Sequence, residues 1–207
     1  NKYKAKKVNF YGTKNLVDCI KKTFVNSKIW FFFSSTSHIY KFSNKQINEK
    51  FKPSPISFYG KTKLMSENYI KKNGKNINYC IGRIFSFTSI RQKKSFIVPS
   101  LVKKLKDRRK KLFFNNLNHY RDFLTLEEIG DAIKKLLINK ATGTYNICSG
   151  KKINLIKIAK SLNYKKKELI IKKNHKQTML VGDNKKLKKL KWKLKNINYI
   201  NYLKKEF

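Results

Sequence analysis

The chain has 207 residues, with 51 Lys+Arg against 11 Asp+Glu and a formal net charge of +40. It is 40% hydrophobic and 14% aromatic, enough to bury a core, which excludes a compositionally disordered chain. No apolar run nears the roughly 20 residues of a membrane span, nothing beside Asn1 resembles a signal peptide, and no Cys/His cluster has metal-ligand spacing.

In chain order, "TKNLVDCIKKTF" places Leu16, Cys19, Ile20 and Phe24 on one side and predicts a helix over 13–25. The apolar run of "IWFFFSS" predicts a strand at 29–34, buried on both faces. Residues 41–55 are polar, carry Pro53 and Pro55, and read as loop. A helix is predicted from about 57 to 73, ended by "KNGK". "INYCIGRIF" (77–85) reads as a second buried strand, and "FIVPSLVKKLKDRRKK" opens a helix near Pro99. "YRDFLTLEEIGDAIKKLLIN" holds a short strand and then an amphipathic helix. "GTYNICSG" (143–150) is a glycine-bounded strand, and "NLIKIAKSLN" a further helix. Strands alternating with helices predict a parallel α/β sheet.

The charge admits two readings. One is a nucleic-acid or membrane partner. The other is compositional bias, since Lys, Asn, Ile and Phe all have A/T-rich codons. Lysine is spread over almost every segment rather than gathered into one arm, which favours bias. The densest runs, 102–111 and 184–195, read as solvated helix faces. Cys19, Cys80 and Cys148 are widely spaced in apolar segments and read as buried thiols of a cytoplasmic protein.

The chemistry gathers at two places. "FFFSSTSHIY" is an apolar strand that ends in hydroxyls, and ligands of open α/β sheets bind at the carboxyl ends of strands. Further on stands Tyr59-x-x-x-Lys63. On a helix these positions share a face. An ammonium beside a phenol favours the phenolate, and a Thr hydroxyl can bond the same substrate oxygen. Together such groups can move a proton on or off a carbinol oxygen. Lysine is abundant, so the spacing alone is weak. Yet of eleven tyrosines only Tyr3 and Tyr59 have Lys four positions on, and only Tyr59 follows a strand ending in hydroxyls.

These segments, in this order, resemble the extended short-chain dehydrogenases/reductases, the NAD-dependent epimerase/dehydratase group that modifies nucleotide sugars. "VNFYGTKNLVDCI" resembles its Asn-x-x-Gly-Thr-x-Asn-Leu helix start. "FFFSSTSHIY", with Thr36 four before Tyr40, resembles its catalytic strand. "PISFYGKTKLMSE" resembles its Tyr-Gly-x-x-Lys helix, including Ser57, Leu64 and Glu67. "HYRDFLTLEEIGDAI" and "GTYNICSGKKINLIKIAKSL" resemble its C-terminal portion. The resemblance implies an α/β, Rossmann-like parallel sheet flanked by helices, with a small C-terminal substrate lobe. It divides the chain into 1–95, carrying the catalytic residues, and 96–207, mostly substrate-binding, with 120–150 returning partly to the sheet. It implies Thr36, Tyr59 and Lys63 as catalytic, with Asn9 supporting the proton relay. Ser34, Tyr59, Lys63 and Phe85 would meet NAD or NADP. Thr36, Ser86, Pro99 and Arg121 would meet a nucleotide-diphosphate sugar, Arg121 through the diphosphate. An ion pair with Asp122 or Asp131 is the other reading of Arg121. A homodimer is implied for the full-length form.

The chain also departs from the family pattern. The family opens with a Gly-x-x-Gly-x-x-Gly turn that cradles the cofactor pyrophosphate; the eight glycines here include no such spacing. The expectation is of a chain without the first strands and the glycine-rich turn, with an exposed sheet edge, binding NAD(P) poorly by itself. His38 stands where the family's 4,6-dehydratases have Glu, which points instead to a 4-ketoreductase or an epimerase. "GRIFSFTSIRQKKSFIVPS" has a rhythm similar to GDP-4-keto-6-deoxymannose reductases. Ser86 replaces a frequent Asn, and Lys41 a usual Gly. The alternatives are a 4,6-dehydratase and a non-catalytic basic protein binding RNA or another polyanion on the same scaffold.

Overall fold

The computed structural model describes residues 2–25, 28–74, 77–89, 91–172, 176–195 and 197–207. Lys75 of the predicted helix terminator and Ile90 lie outside the described residues. The first helix begins earlier than predicted. Helix α1 (Lys2–Lys6) runs through a π-helical turn at Lys7–Tyr11 into α2 (Gly12–Thr23). Lys6 and Tyr11 are themselves helical, so nothing caps or interrupts the run. The Asn9 carbonyl inside the π turn accepts from the hydroxyls of Thr13 and Ser66, both at 2.7 Å.

Strand β1 (Trp30–Thr36) is followed by a 3-10 turn at Ser37–Ile39. Helix α3 (Phe58–Asn73) starts at Ser57, whose hydroxyl accepts from the Gly60 amide at 3.0 Å. Then come β2 (Asn78–Ile84), β3 (Ser86–Phe87) and α4 (Ile97–Leu105), with Pro99 in its first turn. Strands β4 (Lys111–Asn115), β5 (Tyr120–Arg121) and β6 (Phe123–Leu124) lead to α5 (Leu126–Ile138). A Thr125/Glu128 capping box opens α5. Strands β7 (Gly143–Ile147) and β8 (Ile153–Asn154), helix α6 (Leu155–Ser161), strands β9 (Glu168–Lys172) and β10 (Met179–Leu180) and helices α7 (Lys185–Lys188) and α8 (Tyr199–Glu206) complete the chain.

The two lysine-rich runs are not long solvated helices. In the first, α4 stops at Leu105 and Lys111 already belongs to a strand. In the second, α7 has four residues, and Leu187 and Trp192 are buried among the lysines. Burial of those two side chains, not charge, decides the backbone path.

The main sheet is parallel, in the order β1-β2-β7, with β1 at an edge among the described strands. Both faces of the sheet are covered, as parallel sheets require, but edge strand β1 only in part: of its four aromatics Phe33 alone is buried. On one face Phe33 and Ile81 meet Val17 and Ile70 from α2 and α3. On the other, Cys80 and Ile147 meet Ile129, Ala132 and Leu136 of α5, with Leu187 and Trp192. Gly82 is needed here, because a Cβ would stand 2.6 Å from the Phe32 ring and 2.8 Å from Ile147. The remaining strands form small sheets, β10-β5-β8, β3-β6 and β4-β9. A separate apolar core joins α4, α6 and α8.

Helix α2 buries the predicted side only in part: Ile20 packs half-buried against the core, but the other three predicted residues do not. Val17 is fully buried, whereas Leu16 is 50% and Phe24 46% exposed, and Cys19 is exposed. Apolar residues stand on more than one side of this helix, and neighbouring positions differ by about 100°. Packing against Phe33 and Ile70 selected Val17. Cys80 and Cys148 are buried as predicted.

Candidate active site

The site forms where β1 ends. Thr36 is its last residue, 7% exposed, and its hydroxyl accepts from the His38 amide at 3.2 Å. This bond turns the chain into the 3-10 turn and on to the loop before α3. That loop is zipped to the turn by Ser54 N–H to the Ile39 carbonyl (2.7 Å) and Ile56 N–H to the His38 carbonyl (3.1 Å). The start of α3 then lies directly on His38. A Cβ at position 60 would stand 2.2 Å from the His38 carbonyl oxygen, so only glycine allows the approach. The glycine after Tyr59 is thus the seat on which α3 rests against His38.

Tyr59 and Lys63 share the exposed side of α3's first turns. Tyr59 is 43% exposed, and the His38 ring meets it edge-on at 6.1 Å. The Lys63 ammonium lies 5.9 Å from the Tyr59 ring centroid and 4.9 Å from that of Phe33, and it donates to the Ser34 carbonyl at 2.9 Å. Burial raises the Tyr59 phenol above its ordinary value and lowers the Lys63 ammonium below its own. The phenolate-favouring effect expected of Lys63 does not prevail here, since the ammonium points to Ser34. Asn9 joins the same helix: its amide donates to the Thr62 hydroxyl at 3.1 Å, which donates to the Tyr59 carbonyl at 2.8 Å.

Arg121 donates to the Tyr120 carbonyl (2.7 Å) and to Thr178, and its guanidinium lies 5.1 Å from the Phe42 ring. Burial lowers it to about 10. Among the described residues it pairs with no acid. Asp122 faces the other way, and Asp131 pairs with Lys195 at 3.1 Å. Arg121 and the site are electrostatically linked: burial first, and then the Arg121 charge, push His38 below the usual imidazole value. Asp122 is fully buried and accepts from the Ser149 amide and hydroxyl (both 2.7 Å), Gly150 N–H (2.9 Å) and Gly182 N–H (3.2 Å). It clamps the chain beside Arg121.

The structure therefore gathers Thr36, Tyr59, Lys63, Asn9 and Ser34 at one sheet end, with His38 between them and Arg121. Phe85 is 3% exposed, packed with Tyr40, Ile47, Cys148 and Leu180. The Ser86 amide is spent on the Asp122 carbonyl at 3.0 Å. Pro99 is buried in α4, beside Val98 of the C-terminal core. Sequence reasoning missed Thr62, and it offered Asp122 as an ion-pair partner of Arg121, whereas Asp122 accepts from Ser149, Gly150 and Gly182. Thr62, three residues after Tyr59, and Asp122, an acid between Arg121 and an apolar pair, were the available signals.

A Tyr-x-x-x-Lys helix lying over the hydroxyl-tipped end of a parallel sheet defines a Rossmann-like protein of the short-chain dehydrogenase/reductase class. The sequence pattern of the GDP-mannose 4,6 dehydratase family matches residues 3–197, and the chain belongs to that family. It is 29% identical, over 145 residues, to GDP-6-deoxy-D-talose 4-dehydrogenase of Aggregatibacter actinomycetemcomitans, covering 69% of this chain and 49% of that protein. The chain thus spans about half the length of this curated relative. The fold is similar to that of RMD from Pseudomonas aeruginosa complexed with NADPH (TM-score 0.84, 22% identity, 96% of this chain and 71% of that one). It is also similar to UDP-glucuronic acid 4-epimerase from Bacillus cereus in complex with UDP-glucuronic acid and NAD (TM-score 0.81, 22% identity, 96% and 65%). No helix among the described residues is long and apolar enough to cross a membrane.

Proposed function

We propose that this chain carries the proton-transfer and sugar-binding residues of an NAD(P)-dependent nucleotide-sugar 4-ketoreductase or epimerase. The observation that carries the reading is the seat of Tyr59: a hydroxyl-bearing helix start held on His38 by Gly60, with Lys63 four residues on and Thr36 at the adjacent strand end. Tyr59 would give a proton to, or take one from, a sugar C–O group, and Thr36 would bond the same oxygen. Lys63 would release Ser34 to hold ribose hydroxyls and bring its charge toward the phenol. Asn9, through Thr62, fixes the helix turn that bears Tyr59. Arg121, half-buried and without an acid partner among the described residues, suits a diphosphate.

The residues present fit the nicotinamide end of the dinucleotide, at Ser34, Tyr59 and Lys63. Bound there, the nicotinamide would supply hydride exchange at the sugar carbon. The pyrophosphate end has no glycine-rich turn among the eight glycines of this sequence. Leu16, Phe24 and Val8, all exposed, offer an apolar strip for the second copy of a homodimer. One observation keeps elimination chemistry as a second reading: His38 faces Tyr59 and is held below the usual imidazole value, so at neutral pH it can accept a proton where 4,6-dehydratases use Glu. The discriminating experiment is turnover of a GDP-4-keto-6-deoxyhexose with NADPH by the active enzyme. Tyr59→Phe should lose about 100- to 10,000-fold in kcat while substrate binding persists; undiminished turnover would sink the proposal.

A further inference from the structure

A cavity of about 500 Å³ opens among α6, α8 and the start of α5. Its lining includes Tyr120, Glu128, Lys151, Lys152, Lys157 and Tyr199. Successive strand residues face opposite sides. Tyr120 lines this cavity, whereas Arg121 lies against Phe42, so the cavity is on the far side of β5 from the candidate active site. Its volume falls in the range of about 300–1,000 Å³ that holds small organic ligands.

Two independent observations point to an occupant. First, Tyr199 is only 7% exposed, and its buried hydroxyl has no hydrogen-bond partner among the described residues. Its ring is held by stacking on Phe123 at 4.9 Å and by Tyr202 at 5.8 Å. A buried hydroxyl without a partner is costly and uncommon in native proteins; Tyr199 lines the cavity, and a ligand that displaces the side chains over the hydroxyl would satisfy it. Second, the lining is polarised. Three lysines stand at its exposed side, and the Lys152 ammonium lies 4.5 Å from the Tyr120 ring centroid. Glu128, 5% exposed, contributes a carboxylate that is already fixed by the Thr125 amide at 3.0 Å.

We infer that this cavity binds a phosphorylated heteroaromatic of nucleoside-monophosphate size. Its phosphate meets the three lysines, its ring lies against Tyr120, a ring amine donates to Glu128, and the Tyr199 hydroxyl bonds a ring heteroatom. Phosphate alone would use only the lysines, and an uncharged nucleoside only the aromatic and carboxylate side. The inference does not depend on the oxidoreductase reading.

The test is calorimetric titration of the 207-residue chain with AMP, adenosine and inorganic phosphate. AMP should bind at least about tenfold more tightly than either of its parts. Tyr199→Phe keeps the stacked ring and should weaken AMP about tenfold, without lowering the unfolding temperature of the free protein. Lys157→Ala should also weaken AMP, whereas Arg121→Ala should leave it unchanged. AMP binding no tighter than phosphate overturns the inference. So does AMP binding that survives Tyr199→Phe and vanishes with Arg121→Ala, since the nucleotide would then sit at the candidate active site. A lowered unfolding temperature for Tyr199→Phe also overturns it, because the hydroxyl would already have a partner.

Discussion

The main sheet and the C-terminal lobe are held together by different physics. Behind Thr36 and Tyr59 runs a buried polar chain. The Ser35 hydroxyl donates to Glu67 at 2.5 Å, and Glu67 takes two bonds from Arg83 at 3.1 and 2.6 Å. Arg83 reaches the Tyr40 hydroxyl at 2.7 Å, Tyr40 reaches Asn146 at 2.9 Å, and Asn146 reaches the Ile47 carbonyl at 2.7 Å. One network thus ties β1, α3, β2 and β7. The lobe of α4, α6 and α8 is instead packed from Val98, Leu101, Leu105, Ile158, Leu162 and Leu203. Apolar packing tolerates small shifts, but hydrogen bonds are directional. The directional network lies behind Thr36 and Tyr59, the hydroxyl and the phenol that the proposed function brings to one substrate atom.

The largest effect expected from breaking this contrast follows Glu67→Ala. It leaves the Arg83 guanidinium, 2% exposed, buried without its carboxylate, and should cost about 3–5 kcal/mol in urea unfolding. Ile158→Val in the lobe should cost about 0.5–1.5 kcal/mol. The double variant Glu67→Met with Arg83→Met should recover much of the stability but not the turnover, if the network positions Thr36 and Tyr59. Equal costs for Glu67→Ala and Ile158→Val would end the comparison.

Asp122 sharpens it by pH. Burial raises its carboxyl to about 6, partly offset by the four donors that face it. The folded value lies above the unfolded 3.8, so the native state binds the proton more tightly. The stability from this group is therefore full below about pH 4 and lost as pH rises through about 6. Subtracting the Asp122→Asn stability profile from that of the wild type should isolate a fall on the order of 2–3 kcal/mol across that window. A flat difference would show that the four donors cancel the burial.

Two glycines give a smaller, paired contrast. Gly60→Ala forces a Cβ onto the His38 carbonyl and should cost about 1–3 kcal/mol, together with turnover. Gly130→Ala, where nothing among the described residues lies within 4 Å of the new Cβ, should stabilise α5 by about 0.5–1 kcal/mol. Thermal unfolding of both variants checks the signs.

The contrast also explains what could be read from the sequence. The parallel sheet was legible because β1 opens on a continuous apolar run and β2 is mostly apolar, and the site because Thr36, Tyr59 and Lys63 stand in fixed local registers. The network was not legible. Glu67, Arg83 and Asn146 are far apart in sequence, and only the folded sheet brings them together. Strands β4 and β9 were missed for a related reason: "KLFFN" and "ELIIK" lie inside lysine-rich surroundings, and their pairing is a tertiary contact between distant segments.

Cys19 carries the smallest effect and tests the side of α2 that periodicity misread. It stands exposed, whereas burial pushes the Cys80 thiol up to about 12 and that of Cys148 well above its ordinary value. Thiolate, not thiol, attacks a disulfide reagent, so access and ionisation act in the same direction. One equivalent of thiol should react quickly in the folded chain, and the other two only on unfolding, with little change in stability. Cys19→Ser should abolish the fast equivalent. If a second copy covers Leu16 and Phe24, the fast reaction should slow as protein concentration rises, because labelling then reports the monomer fraction. A fast equivalent that survives Cys19→Ser would mean that the sheet's own thiols are reachable, and that the parallel sheet is less tightly covered than its two apolar faces imply.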